Sequence, residues 1–320
     1  TWGWNYNGQL GNSTIADRYA PVKVMDNVID VEMCSTYMAA IQLDGSLWTW
    51  GNNEYGELGR ETSSYYSATP EQILDNVVSV CLGHHHMAAI KTDGSLWTWG
   101  YNRYGELGDG TTTNRTTPMK IMDDVVSVGI GVYHMIALKS DGSLWAWGEN
   151  DFGQLGDGTT KNRTQPVKIM DDVVSFCTEY YHTAAIKADG TLWTWGLNNY
   201  GQIGDETFEE CHTPVKVLDD VVSVDVGNYN TAAVTSDEAL WVWGANYVGQ
   251  VGDGTSENRN KPVKIMDNVV MARIGFENMA AITSDGTLWT WGRNDYGQLG
   301  DDTTTYRYTP VKIMEDIMLP

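Results

Sequence analysis

Three histidines recur at one spacing: His86, His134 and His182 stand 48 residues apart. Imidazoles in register invite a metal site. Other copies of the same slot are Tyr37, Asn230 and Asn278, however, which suits a structural hydrogen-bonding position. The runs Gly108-Asp109-Gly110-Thr111-Thr112, Gly156-Asp157-Gly158-Thr159-Thr160 and Gly252-Asp253-Gly254-Thr255-Ser256 raise phosphate or calcium binding instead. A phosphate cradle needs a following helix and lysine, and a calcium loop needs alternating oxygen ligands closed by Glu. Neither pattern is present. Turn building explains these runs, with glycine at positive φ and Asp or Thr capping locally.

Cys34, Cys81, Cys177 and Cys211 lack the short paired spacings of a zinc site and are too sparse to staple the chain, which leaves the redox compartment open. Covalent catalysis needs unlike residues converging at one place, whereas nearly every Ser, His and Asp here has copies at the repeat spacing. No catalytic residue, metal or cofactor is expected, and the chain reads as a non-enzyme.

What varies is one short turn per repeat: Ser35-Thr36, His84-His85, Val132-Tyr133, Tyr180-Tyr181, Asn228-Tyr229 and Phe276-Glu277. Large rigid aromatics within a polar rim are what binding hot spots use. The candidate contact residues are therefore His84, His85, Tyr133, Tyr180, Tyr181, Tyr229, Phe276 and Glu277.

The formal charge of -22 disfavours nucleic acid and anionic membrane surfaces, since both need clustered Lys and Arg. Neutral or basic protein partners fit better, with a glycan as a further option for Tyr beside Asn and Asp. At 42% apolar and 19% charged residues the chain folds rather than staying disordered. No apolar run reaches a bilayer-spanning length.

These residues are positioned by a repeat of about 48 residues. Trp-Gly recurs at Trp2, Trp50, Trp99, Trp147, Trp195, Trp243 and Trp291, and a proline follows each. In one unit, Val77–Val80 reads as a first strand, Met87–Lys91 as a second, and Asp93-Gly94 as the turn into a third, Leu96–Trp99. A long Gly/Asn/Thr loop leads to a fourth strand opening at Pro118, where an edge position tolerates proline. Four short antiparallel strands per unit predict an all-β fold, a seven-bladed β-propeller with its seventh blade incomplete. Residues 1–27 are assigned to the outer part of the split blade, 28–315 to six full repeats, and 316–320 to the start of the split blade. Matching Thr1 to Thr290 leaves a shortfall of about 17 residues for closure, equivalent to Arg273–Trp289, so the chain reads as an excerpt of a longer one. The paired tryptophans fill the space between blades. The Asp237-Glu238 pair, replacing Asp-Gly, is expected to change that hairpin's turn type.

The stretch from Gly131 to Thr160, GVYHMIALKSDGSLWAWGENDFGQLGDGTT, and its counterparts resemble the repeats of the regulator of chromosome condensation family, along the whole chain. The resemblance implies a propeller and is nearest to bacterial-type members. It covers an exchange factor for a small nuclear GTPase, a plant ultraviolet photoreceptor, and bacterial inhibitors or effectors. The photoreceptor's Gly-Trp-Arg-His-Thr motif is replaced here by Gly83-His84-His85-His86-Met87 and its copies. The leading expectation is a non-catalytic interaction propeller, secreted or at the cell surface, that binds a protein through one loop face. The alternatives are a guanine nucleotide exchange factor for a small GTPase and a lectin.

Overall fold

Short apolar and β-branched runs, punctuated by Asp-Gly turns, become twenty-four strands in the computed structural model, which describes residues 1–62 and 64–318. The first sheet comprises β1 (Val28–Met33), β2 (Tyr37–Gln42), β3 (Leu47–Asn52) and β4 (Tyr66–Leu74). The second holds β5 (Val77–Leu82), β6 (His86–Lys91), β7 (Leu96–Gly100) and β8 (Arg115–Met122). In the third are β9 (Val125–Ile130), β10 (His134–Lys139), β11 (Leu144–Gly148) and β12 (Arg163–Met170). The fourth runs β13 (Val173–Glu179), β14 (His182–Lys187), β15 (Leu192–Gly196) and β16 (Cys211–Leu218). The fifth is β17 (Val221–Val226), β18 (Asn230–Thr235), β19 (Leu240–Gly244) and β20 (Arg259–Met266). The sixth is β21 (Val269–Ile274), β22 (Asn278–Thr283), β23 (Leu288–Gly292) and β24 (Arg307–Met314). Every sheet pairs its strands in sequence order, as propeller blades do.

Six of the expected blades are present as full four-stranded sheets among the described residues. Residues 1–27 contribute one antiparallel bridge, Gly3 with Arg18, rather than a sheet. Of the segment 316–320, residues 319 and 320 lie outside the described residues; among 316–318 the Ile317 N–H donates to Gly286 O at 2.9 Å and no strand forms. The fourth strands also start earlier than expected. Pro118 lies inside β8, at a register shift between Thr98 and Gly100 of its neighbour, where no ladder amide is required.

Two compact units divide the chain, residues 1–149 with 162–168, and residues 150–161 with 169 onward. One interlock, repeated inside each unit, explains why loop 150–161 groups with the blade after it. The loop following each third strand lies under the next blade's second tryptophan and accepts its indole hydrogen bond. In the first unit, Nε1 of Trp50, Trp99 and Trp147 donates to the carbonyls of Gln9, Glu57 and Glu106, each at 2.8 Å. In the second, Trp195, Trp243 and Trp291 donate to Gln154, Gln202 and Gln250 at 3.0, 2.9 and 3.0 Å. All six indoles are buried. Glycine permits the fit: Gly108 has φ +74, and a Cβ there would stand 2.8 Å from the Trp147 indole nitrogen. Trp2 differs from its copies, being 64% exposed.

The Asp237-Glu238 hairpin contradicts the expected change of turn. Glu238 adopts φ 62, close to the +76 of Gly94, and its N–H donates to Thr235 O at 2.9 Å just as Gly94 donates to Lys91 O. The Thr235 hydroxyl, donating to Asp237 at 2.6 Å, helps to hold the loop in a conformation that costs a side-chain-bearing residue ~1–2 kcal/mol.

Candidate functional site

Within each unit, the turn between the first two strands of a blade meets the loop that follows the third strand of the preceding blade. The aromatic side chains of these segments collect into one cluster per unit.

In the first unit the cluster comprises Tyr55, His84, His85, Tyr101, Tyr104 and Tyr133. His84 is exposed and the other five are half-buried. Ring centroids lie 4.9 Å apart for Tyr55–His85, 5.1 Å for Tyr55–Tyr101, 6.0 Å for Tyr101–Tyr133 and 5.2 Å for Tyr104–Tyr133. His84 reaches His85 at 4.5 Å and Tyr133 at 6.5 Å. Such edge and tilted contacts are favourable for quadrupolar rings.

Two fully buried carboxylates underlie these rings, Glu57 and Glu106. Glu57 is well bonded: it accepts from Asn52 Nδ2 at 2.9 Å and the Tyr55 N–H at 2.8 Å, and its Oε1 lies 3.1 Å from His85 Nδ1. Glu106 accepts the Tyr104 N–H at 2.8 Å on one oxygen, while Oε1 is buried without a partner. Burial pushes the Glu106 carboxyl up to about 7, against the bonds from neighbouring N–H groups, and the charge of Glu149 adds to the rise. Burial also raises the phenol of Tyr133, helped by the charges of Tyr104, Glu149 and Glu106.

The second unit's cluster is Phe152, Tyr180, Tyr181, Tyr200, Tyr229 and Tyr247. Tyr180 packs on Tyr181 at 4.5 Å and Tyr229 at 5.3 Å; Tyr200 meets Tyr229 at 4.7 Å, and Phe152 meets Tyr181 at 5.0 Å. Tyr180 holds φ 51, a conformation rare for an aromatic residue. Below these rings lie amides. The Oε1 atoms of Gln154, Gln202 and Gln250 accept the N–H of Phe152, Tyr200 and Val248 at 2.9, 2.9 and 3.0 Å. Glu277 accepts from the Tyr247 hydroxyl at 2.6 Å and pairs with Arg293, while Phe276 projects 72% exposed beside it.

His84, His85 and Tyr133 thus converge in one unit, and Tyr180, Tyr181 and Tyr229 in the other. The sequence reading missed the loop contributors Tyr55, Tyr101, Tyr104, Phe152, Tyr200 and Tyr247, and the buried Glu57 and Glu106. Their signal was available. An aromatic residue precedes Gly-Glu/Gln-Leu-Gly at Tyr55, Tyr104 and Phe152, and only in the first unit's blades is the second residue of that motif acidic.

In the histidine slot, His182 and Tyr37 bond to the next blade, whereas neither ring nitrogen of His86 has a hydrogen-bond partner. His182 Nε2 lies 3.1 Å from Thr231 Oγ1, and the Tyr37 hydroxyl donates to Gly83 O at 2.6 Å. Burial pulls His86 down to about 3 and His182 to about 4. Among the described residues, no group of three or more His, Cys, Asp or Glu is placed to hold a metal ion. The Gly-Asp-Gly-Thr loops are occupied by their own bonds: Asp109 accepts from the Thr111 N–H and hydroxyl at 2.9 and 2.7 Å, and from Arg115 Nε at 2.7 Å. All four cysteines are free thiols. No helix among the described residues is long and apolar enough to cross a membrane.

The family model of the RCC1-like domain matches residues 1–319. Among solved structures, human WBSCR16 is 21% identical with a TM-score of 0.77, over 98% of this chain and 94% of that one. Prp20p from Saccharomyces cerevisiae, whose binding to Gsp1p and histones has been characterised, gives 21% and 0.76, over 98% and 85%. Yeast RCC1 (Prp20) bound to Kap60 gives 21% and 0.73, over 90% and 75%. These matches overturn the leading expectation of a non-catalytic protein-interaction propeller that binds through one loop face.

Proposed function

The chain belongs to the RCC1-like domain family, and from that premise we propose that it is a guanine nucleotide exchange factor for a small GTPase. The observation that carries the reading is the family match along residues 1–319, joined to an aromatic loop cluster in each unit.

Exchange requires no covalent bond to form or break. A small GTPase holds its nucleotide through a glycine-rich loop and lysine on the phosphates, with magnesium bridging them. A partner that binds the nucleotide-free form more tightly than the loaded form lowers nucleotide affinity by the same factor, by linkage. An acidic protein suits that role, because a formal charge of -22 attracts the basic, emptied phosphate site and repels the departing phosphates. His84, His85, Tyr133, Tyr180, Tyr181, Tyr229, Phe276 and Glu277 are the proposed contact residues, joined by the loop tyrosines beside them. That Prp20p binds Gsp1p supports a GTPase as the partner class, and its histone binding supports basic protein partners more widely.

The test is release of a fluorescent guanine nucleotide from a panel of small GTPases with and without the chain. Accelerated release from at least one member is expected, and it should fall in a Tyr180→Ala, Tyr181→Ala double variant that keeps its fold. Unaltered release across the panel overturns the reading.

A further inference from the structure

We propose that the first unit's aromatic cluster is a receptor for a cationic side chain, the ammonium of a lysine or the guanidinium of an arginine on a protein partner, seated on Tyr101, Tyr104 and Tyr133 with Glu106 as its counter-charge. The inference goes beyond nucleotide exchange and does not depend on it.

Glu106 is the reason. Its backbone setting is that of Gln154 and Gln202 in the second unit, since each side chain accepts the N–H two residues earlier on one oxygen, at 2.8, 2.9 and 2.9 Å. The remaining polar atom differs. It is a nitrogen in the glutamines and Oε1 in Glu106, and in all three it is buried without a hydrogen-bond partner. A buried carboxylate oxygen left alone is costly, so this position selects either a proton or a cation. Glu106 Oε1 therefore marks a place where positive charge is wanted.

The rings around it meet the same demand. Glu106 accepts the N–H of Tyr104, whose ring lies 5.2 Å from that of Tyr133 and 6.5 Å from that of Tyr101. Burial raises the phenols of Tyr101 and Tyr133, and the charge of Glu106 contributes to both. Aromatic faces attract ammonium and guanidinium groups through their quadrupoles. The cluster already draws one cation, for the exposed Arg103 guanidinium lies 6.0 Å over the Tyr104 ring. The ionisable groups facing Glu106 are Tyr104 on its own loop, Tyr101 just after β7, Tyr133 in the turn before β10, and the buried Glu149 just after β11. Two carboxyls close enough to influence one another favour a cation over any anion. Tyr133, half-buried against Tyr104, must turn outward to admit the ligand.

The test uses the whole chain, titrated calorimetrically near pH 7 with Nα-acetyl-lysine methylamide, with Nα-acetyl-arginine methylamide, and with the neutral Nα-acetyl-norleucine methylamide. The cationic probes should bind and the neutral one should not; whichever cationic probe binds more tightly identifies the side chain. Binding should release protons, read as a dependence of the heat on buffer ionisation enthalpy. Glu106→Gln, which copies the second unit's residue and so keeps its fold, should weaken binding about tenfold and abolish proton release. Failure of both cationic probes, equal binding by the norleucine probe, or wild-type affinity in Glu106→Gln overturns the proposal. Nucleotide release by Glu106→Gln is a separate measurement, so either reading can fail alone.

Discussion

The two units use the same scaffold under different floors. In each, an aromatic cluster rests on side chains that follow a glycine recurring in every repeat. In the first unit those side chains are Glu57 and Glu106; in the second they are Gln154, Gln202 and Gln250. The backbone geometry barely notices, because oxygen accepts the same N–H in either residue. The electrostatics change completely. A glutamine carries its own donors and is neutral at every pH, whereas a buried glutamate must find a cation, a proton or several donors. Both oxygens of Glu57 have found donors, whereas Glu106 Oε1 has none. Repetition thus keeps the frame constant while single substitutions set the chemistry of each cluster.

The equivalence of the scaffolds is open to the hardest blow. Trp147→Ala in the first unit and Trp195→Ala in the second should each cost ~3–5 kcal/mol in denaturant unfolding, because each removes a buried indole and its bond to a loop carbonyl. A clear inequality would mean that the interlock is not the shared element.

The floors should separate on titration. The carboxyl of Glu106 stands near 7 in the folded chain against an ordinary 4.5. Its stabilising contribution is full below pH 4.5 and is lost as pH rises through about 7, amounting to about 3 kcal/mol. Glu106→Gln should flatten that limb of the pH–stability curve; an unchanged curve would erase the contrast between the units. His182 works in the opposite sense. Burial holds it near 4 against 6.5, so its contribution is present above pH 6.5 and fades as pH falls through about 4. His182→Asn, which copies the residue that Asn230 supplies in the next blade, should soften the acid limb.

Glu57 offers a smaller effect. Glu57→Ala strands the Asn52 amide and the Tyr55 N–H, costing ~1–3 kcal/mol by chemical denaturation, with the His85 resonances broadening as its partner goes. Wild-type stability would show that water replaces the carboxylate at no cost. The smallest change sharpens the second unit: Glu238→Gly relieves a left-handed residue and should stabilise by ~1 kcal/mol. Destabilisation would mean that the Glu238 side chain makes a contact worth more than the strain.

Much of this was legible from residue order. Val77–Val80, Met87–Lys91 and Leu96–Trp99, the last alternating with period two, fall inside β5, β6 and β7. The variable turns were recognisable as one slot, and His84, His85 and Tyr133 do meet. Their loop partners were harder to see, because Tyr104 and Tyr133 lie in different repeats and touch only once one blade's loop has packed beneath the next blade's tryptophan. The turn at Glu238 was misjudged for a related reason. Local preference disfavours positive φ for glutamate, yet the flanking strands and the Thr235–Asp237 bond impose it.

Residue order alone determined the repeat, the all-β class, the burial of most second tryptophans and the acidic balance, since each depends on periodicity or composition. Tertiary structure decided how many blades form, which aromatics share a cluster, and whether a buried acid is satisfied. Glu57 and Glu106 occupy one motif position, and only the partners that packing brings to Glu57, Asn52 and His85, distinguish a fully hydrogen-bonded carboxylate from one with an oxygen left alone.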